Sequence, residues 1–295
     1  MIRIDKEKCI GCGICGDVCP RHIPETVLKD GIKSTIISLE RRNLCMACGQ
    51  CTAVCPNGAI SLDGMEPDGF KPVRPIQVSA DSLLTLMEQR RSIRRYTDKP
   101  IPRETLDRIV DASRRAPTGT GSASTGVLVI DKRTYLDDLS TMLHEVYENL
   151  DKNLKNPMAR FVIKKRIGPE MFHTLREFVM PGMRWFLKWK KEGMGDEILR
   201  DCKALILYHS PILEPMGESN CTIAAFHGIL MAEILGVGTC FNHLIPLACN
   251  RSRKIREFLG LTKDRAFYSS LILGFSKYKY HKVVPKRFEE VRYLN

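Results

Sequence analysis

The chain has 295 residues, of which 43% are hydrophobic and 27% charged, and its formal net charge is +12. This is the composition of a globular protein and excludes a wholly disordered chain, while the length favours two domains. No apolar run reaches the roughly 18 residues that a bilayer span requires, and the first residues lack the apolar core of a signal peptide. We therefore expect a cytoplasmic protein without membrane contact.

Cysteines crowd the N-terminal part of the chain, where eight of the 12 fall within the first 55 residues. In a reducing compartment such crowding indicates metal ligands or catalytic groups rather than disulfides. The eight form two runs of equal spacing, offset by 36 residues: Cys9, Cys12, Cys15 and Cys19 before Pro20, then Cys45, Cys48, Cys51 and Cys55 before Pro56. Short strands are expected on either side, at residues 2–4 and 59–62.

The spacing within each run favours iron–sulfur ligation. Three thiolates separated by two residues can wrap one cluster from a single loop, and the fourth, before a proline, ligates the other cluster. Zinc sites and disulfides are the alternatives, but zinc favours two Cys-x-x-Cys pairs around one ion. We predict two [4Fe–4S] clusters with these ligands: Cys9, Cys12, Cys15 and Cys55 for the first, and Cys19, Cys45, Cys48 and Cys51 for the second.

On these motifs, residues 1–63 resemble a bacterial two-cluster ferredoxin. The segment between the two runs is longer than the minimal ferredoxin loop and carries His22 and the pair Arg41-Arg42. These residues predict a solvated loop, and a docking surface is the alternative.

Residues 64–81 are predicted to be a linker, because prolines and glycines in this span interrupt both helical and strand patterns. Residues 82–295 alternate helices with short apolar strands, which predicts a layered domain. Helices are expected at 82–90, 103–115, most of 135–200 with breaks at Gly168-Pro169 and Pro181-Gly182, 219–235 and 251–259. Strands are expected at 126–130, 204–208, 239–242 and 267–273.

Four segments of this second domain could share one site. The first holds Arg90, Arg91, Ser92 and Arg94, whose guanidinium groups and hydroxyl suit a phosphate. The others are a loop at 118–122 that can approach a planar ligand closely, the segment 236–240 and the basic segment 285–287. Taken singly, the four segments are equally typical, in the same order, of solvated charge at a helix end, a flexible loop, a helix cap and a solvated tail.

Together, in this order, the four segments resemble the FMN-dependent nitroreductase family over residues 82–295. The matching stretches are RRSIRRY, APTGTGSASTGVLVI, LGVGTCF and LGFSKYKYHKVVPKRFEEVRYL. The resemblance implies an α+β fold class, in which the small ferredoxin-like two-cluster domain is followed by a nitroreductase-like three-layer α/β/α flavin domain. It also implies a helical lid at about 135–200 and a homodimer with FMN at the subunit interface.

Roles for FMN follow from the resemblance, position by position. Arg90, Ser92, Arg94 and Arg287 would hold the phosphate, and Arg91 would lie against ribityl or phosphate oxygens. Pro117, Thr118 and Gly119 would pass along the flavin, while Gly238 and Thr239 would offer N–H groups near its reactive edge. The sequence departs from the family at Gly121 and Ala123, where an Asn and a Gln are usual, and at Phe241, where an indole is common.

These expectations describe an enzyme in which clusters feed single electrons to FMN, which passes them as a hydride to a nitro compound, quinone or activated double bond. An external donor such as a ferredoxin or reductase would supply the clusters, and neither nucleic acid nor membrane is expected as a partner. No acid or base residue stands out. Two alternatives are an electron-transfer module serving a protein partner and a flavin-storing or regulatory protein without catalysis.

Overall fold

The computed structural model describes residues 2–29, 31–65, 69–119, 123–287 and 289–294. The chain divides into two compact units, residues 1–77 with 118–123 and residues 78–117 with 124–295. The boundary at residues 77 and 78 lies inside the segment predicted as the linker. Within the described residues, no helix combines the length and the apolar character that a membrane crossing requires.

The first unit is built around the two cysteine runs. The two strands that the sequence predicts are present, β1 (Ile2–Ile4) and β4 (Ile60–Leu62), and they pair antiparallel. Each run contains one short helix, α1 (Ile14–Asp17) or α2 (Gln50–Val54). Apolar side chains between these elements form a small core with two of the thiols: Ile2, Ile23, Ile60, Leu62, Cys15 and Cys51.

The segment between the runs contains a β-hairpin, which the sequence did not predict, while His22 and the Arg41-Arg42 pair lie outside its strands. Strand β2 (Pro24–Lys29) pairs with β3 (Ile32–Ile37) over its full length, and β-branched residues, which favour strands, recur along both. Arg41 is also held in place, because its Nε and Nη2 donate to the His22 carbonyl at 3.1 and 2.9 Å and it pairs with Glu25. Arg42 begins a single 3₁₀ turn.

The second unit contains a four-stranded antiparallel sheet in the order β5-β6-β8-β7. Its strands are β5 (Gly126–Ile130), β6 (Ala204–Pro211), β7 (Gly238–Phe241) and β8 (Arg265–Gly274). All four lie where the sequence predicts a strand. Strand β6 is almost entirely buried, because helices cover both faces of the sheet.

Helices lie on the two faces as separate layers, and alternate residues of β6 contact them. Leu205 and Leu207 belong to a core with α5 and α8, whereas Ile206 and Tyr208 belong to a core with α4 and α9. This is a three-layer α/β/α arrangement. The helices are α3 (Ala80–Gln89), α4 (Arg103–Arg114), α5 (Arg133–Lys155), α6 (Pro157–Ile167), α7 (Pro169–Thr174), α8 (Met180–Lys191), α9 (Gly217–Ile234), α10 (Leu244–Arg251) and α11 (Arg253–Phe258).

The helices differ from the sequence prediction in several places. Helix α3 begins at Ala80, because the Ser79 hydroxyl accepts a hydrogen bond from the Ser82 N–H at 3.1 Å and caps it. The break at Gly168 is confirmed by its left-handed φ of 82°, but the break at Pro181-Gly182 is wrong. A wider π-helical turn, Leu175–Val179, leads directly into α8, whose first turn tolerates a proline. Helix α10 was not predicted.

Candidate functional site

The eight N-terminal thiols form two groups of four in the first unit, each around its own cavity. One cavity is lined by Cys9, Cys12, Cys15 and Cys55, and the other by Cys19, Cys45, Cys48 and Cys51. Each group thus takes three thiols from one run and the fourth from the other run. All 12 cysteines of the chain are free thiols.

The donor set of each group fits a cluster. Within the described residues, no three or more Cys, His, Asp and Glu side chains are grouped so as to hold a single metal ion. The four thiols of each group instead surround a space, and a [4Fe–4S] cluster takes four cysteine thiolates. The chemistry of the residues present therefore fits the predicted clusters, while the ligand roles themselves stay a prediction.

Backbone N–H groups reach two of these sulfurs. Ala47 N–H donates to Cys45 Sγ at 3.4 Å, and Ala59 N–H donates to Cys55 Sγ at 3.2 Å. Ala47 adopts a left-handed φ of 52°, which is unusual for a residue with a side chain. Such hydrogen bonds stabilise negative charge on sulfur and are one of the means by which a protein sets a cluster's reduction potential.

The other four thiols, all in the second unit, are buried as the sequence predicts. Burial raises the pKa of three of them to about 12: Cys202, Cys221 and Cys249. Cys240 is equally buried, at 5% exposure. Thiols held protonated in apolar surroundings are poor nucleophiles, so Cys202, Cys221 and Cys249 serve packing rather than catalysis.

In the second unit, a cavity of about 390 Å³ lies beside the segment that the sequence predicts to bind phosphate. That volume is within the range of small-molecule sites. Two of the predicted residues, Arg91 and Gly238, line it, together with Ile93 and residues of the tail that follows β8. Glu233 also lines it, and burial raises the pKa of the Glu233 carboxyl against the opposing effect of Arg90 and Arg91.

Arg91 has unused hydrogen-bonding capacity at this cavity. Its Nη1 donates to the carbonyl oxygens of Glu88 and Arg90, each at 2.8 Å. Its Nε and Nη2 are buried and have no hydrogen-bond partner. Leaving charged donors unpaired is costly, whereas a phosphate oxygen would satisfy both at once. The residues at this cavity therefore fit an anionic group such as the FMN phosphate.

The backbone of the Arg-rich segment lies directly against β7. Ser92 bridges Thr239 in parallel register, and Ile93 N–H donates to the Thr239 carbonyl at 2.8 Å. A Cβ on Gly238 would come within 2.7 Å of the Ile93 side chain, so only glycine permits this approach. Two predicted segments that are distant in sequence are thus adjacent in the fold.

The described lining of this cavity does not include the other predicted residues. Arg94 is exposed, with its Nη1 3.4 Å from the Ser92 carbonyl, Arg90 is half-buried, and Arg287 is exposed in the tail. Pro117 and Gly119 are exposed and Thr118 is half-buried. Gly121 lies outside the described residues, whereas Ala123 and Phe241 are exposed. Roles for these residues remain predictions.

Sequence reasoning missed two polar contacts beside these segments. Arg265 donates from Nη2 to the Ser124 carbonyl at 2.5 Å and from Nε to His209 Nδ1 at 2.7 Å. Ser124 lies just before β5, so Arg265 fixes the chain where it enters that strand. No local pattern could have shown this, because Ser124 and Arg265 are 141 residues apart.

The second missed contact anchors the Arg-rich segment itself. Glu197 is buried and accepts from Arg95 Nη1 at 3.2 Å and from Arg95 Nη2 at 2.5 Å, and it also accepts from Arg200 Nη1 at 2.6 Å. A two-pronged guanidinium–carboxylate pair fixes orientation as well as position. Arg95 is adjacent to Arg94, so Glu197 holds the C-terminal end of the predicted phosphate-binding segment.

Two family models match the sequence. The model of the nitroreductase family matches residues 87–275, more than half of the chain, and the model of a 4Fe-4S dicluster domain matches residues 8–60. Among proteins with curated descriptions, none matches.

Similar solved structures include two nitroreductases with bound FMN. That from Bacteroides fragilis NCTC 9343 is 16% identical, with a TM-score of 0.55, and the match covers 72% of this chain and 98% of that one. That from Desulfitobacterium hafniense DCB-2 is also 16% identical, with the same coverage and a TM-score of 0.54. At this identity the likeness concerns the fold, and it confirms the predicted fold class.

Proposed function

This chain belongs to the nitroreductase family, and from that premise we propose that it is an FMN-dependent oxidoreductase whose two [4Fe–4S] clusters deliver electrons to the flavin, from which they pass to a small acceptor. The acceptor would be a nitro compound, a quinone or an activated double bond. The observation that carries this proposal is the arrangement of the eight thiols in two crosswise groups on the same chain as a nitroreductase domain.

The chemistry is divided between the cofactors and the chain. When bound, the clusters transfer electrons singly, whereas FMN takes up one or two and can release a pair as hydride. The chain's own residues bind and orient these groups. Arg91 offers buried donors to a phosphate, the contact with Glu197 fixes the end of the Arg-rich segment, and Arg265 fixes the chain at Ser124 before β5.

We expect a homodimer, in line with the family resemblance. Helix α9 is mostly apolar, and three of its large apolar side chains are exposed: Ile223 at 37%, Phe226 at 39% and Ile234 at 64%. Large apolar side chains left exposed in this way are typical of a surface that a partner covers. A light-scattering mass of two chains is the expected result, and a monomer with a full complement of FMN would contradict it.

An anaerobic turnover assay tests the proposal. With reduced viologen as donor, the wild-type protein should reduce nitroaromatic or quinone acceptors. C12S, which replaces an exposed predicted ligand, should slow turnover. C249S, which replaces a buried cysteine outside the two cluster groups, should leave turnover unchanged. Reduction of clusters and flavin without turnover of any small acceptor would favour the alternative, an electron-transfer module for a protein partner.

A further inference from the structure

Helix α6 leaves a stripe of large apolar side chains exposed. Ile163 and Ile167, which are one turn apart, pack against the core that α5 and α8 share. Met158, Phe161 and Val162 lie together on the opposite side of the helix, because they are three and four residues apart. Their exposures are 79%, 67% and 56%. The helix is thus fixed to the unit along one side and presents apolar side chains to solvent along the other.

The same helix is strongly basic. Residues 152–169 hold six Lys and Arg and no Asp or Glu. Four of these cations are exposed on α6: Arg160, Lys164, Lys165 and Arg166. Within the part of the chain that the structure describes, none of the four forms an ion pair, whereas the preceding Lys155 pairs with Asp151 at 2.7 Å. Lys165 follows Phe161 by one turn, so positive charge without a partner borders the apolar stripe directly.

The helical segment that follows α6 combines the same residue types. Phe178 in the π-helical turn is 72% exposed, and Trp185 in α8 is 59% exposed. The ammonium nitrogen of Lys188 lies 5.2 Å from the centroid of the Trp185 ring. Phe186, the next residue, is only half-buried but packs against the core. Aromatic and cationic side chains therefore occur together in the exposed part of this segment as well.

This combination favours a lipid surface over a protein or a nucleic acid. Lysine is depleted at protein interfaces, and a phosphodiester backbone gains nothing from contact with Met158 or Val162. An anionic bilayer uses both kinds of side chain, because cations bind its charged headgroups while aromatic and aliphatic groups enter the boundary of the acyl chains.

We propose that the exposed side of α6 binds the surface of membranes that contain anionic phospholipids, without crossing them. The residues that make this contact are Met158, Phe161, Val162, Lys164, Lys165 and Arg166. The inference goes beyond the proposed function and requires neither the clusters nor FMN. The sequence alone predicted no membrane partner, because it does not show which apolar side chains remain exposed after folding.

The test is sedimentation of the anaerobic holoprotein with vesicles of phosphatidylcholine, either alone or mixed with phosphatidylglycerol. The wild type should bind the mixed vesicles and not the neutral ones, and salt should weaken the binding. Phe161→Ser should weaken it about tenfold, since burial of the ring is lost. Lys164→Gln combined with Lys165→Gln should weaken it about thirtyfold, since each cation near an anionic surface is worth about fivefold.

Matched controls come from exposed residues elsewhere in the second unit. Leu213→Ser removes an apolar side chain that is 93% exposed, and Lys254→Gln combined with Lys263→Gln removes two exposed cations. Both control proteins should bind the mixed vesicles as the wild type does. Equal losses in the controls would show that binding reflects only the net charge of +12 and would overturn the inference.

Other outcomes would also overturn it, and all of them leave the proposed function intact. These are no binding of the wild type to mixed vesicles, and unchanged binding in either α6 variant. A smaller light-scattering mass in Phe161→Ser than in the wild type would assign this face to contact between two copies of the chain. Tighter binding of the wild type to single-stranded DNA than to mixed vesicles would assign it to nucleic acid.

Discussion

Arg265 donates a hydrogen bond of 2.7 Å from Nε to Nδ1 of His209. A guanidinium group only donates, so Nδ1 must be unprotonated and the proton of the neutral ring lies on Nε2. The imidazole also lies over Gly126, where a Cβ would come within 2.2 Å of its Cε1 atom. Burial lowers the pKa of His209, and the charge of Arg265 lowers it further.

This pair predicts a pH dependence of stability. As the pH falls below about 6.5, the unfolded chain binds a proton at His209 that the folded chain does not. The free energy of unfolding therefore decreases as the pH falls, until the pH passes the lower pKa of His209 in the folded chain. Above that window His209 contributes no pH dependence. In His209→Gln, urea unfolding at pH 8 and pH 5.5 should show a smaller acid loss than in the wild type. Replacement of the exposed His243 by Gln provides the control. Equal losses of unfolding free energy at acid pH in the wild type and in His209→Gln would refute the prediction.

Removing the carboxylate that holds Arg95 should destabilise the second unit. In Glu197→Gln, Arg95 and Arg200 lose their shared charged acceptor, and we expect a loss of about 1–3 kcal/mol in the free energy of unfolding. The control Glu257→Gln breaks an exposed pair with Arg253 and should cost no more than about 0.5 kcal/mol. Similar costs in chemical denaturation would show that Glu197 has no special role.

The contact between the hairpin and the first cysteine run can be tested with matched glycines. Gly11 and Gly31 have similar left-handed φ angles, 65° and 78°, but only Gly11 has a neighbour within reach of a Cβ. Gly31→Ala should therefore cost only the backbone strain, about 1–2 kcal/mol. Gly11→Ala should displace the hairpin as well and lower the iron content of the anaerobic protein toward half. Full iron content in Gly11→Ala would be incompatible with the close approach.

The unpaired donors of Arg91 predict a separation of ligand binding from stability. In Arg91→Gln, the Kd for FMN should rise at least about tenfold, because a charge-assisted hydrogen bond is worth about 1.5–3 kcal/mol. The melting temperature of the FMN-free protein should fall only slightly, since Nε and Nη2 have no partner to lose and the change removes only the two bonds from Nη1 to the Glu88 and Arg90 carbonyls. Fluorescence titration and thermal melting measure the two quantities, with exposed Arg114→Gln as control. Undiminished FMN affinity would exclude Arg91 from the site.

Much of the organisation could be predicted from short-range patterns. The cysteine runs repeat at a fixed offset, so the sequence alone indicates which thiol leaves each run, and the structure groups Cys55 with the first run and Cys19 with the second. The strands of the second unit also carry local apolar signals. The hairpin was missed because the polar residues in its strands resemble a loop. The glycines of the first cysteine run that lie against its backbone give no local signal for it.

Contacts between distant segments could not be predicted. Glu197 and Arg95 are 102 residues apart, and neither local sequence indicates that the two side chains pair. The same holds for Thr35 of β3, which lines the cavity of the first group of thiols although no local pattern distinguishes it from other strand threonines. Pro181 misled for a related reason, because the wider turn that accommodates it depends on the preceding backbone and not on the residue itself.

The proposal that this chain's own clusters supply electrons to FMN is tested most directly by the cofactor content of anaerobically purified protein. Iron and acid-labile sulfide are counted together with extracted flavin. Two [4Fe–4S] clusters and one flavin site predict about eight irons and one FMN per chain. Four or fewer irons, or no bound flavin after reconstitution, would contradict the account of a chain that supplies electrons to FMN through its own clusters.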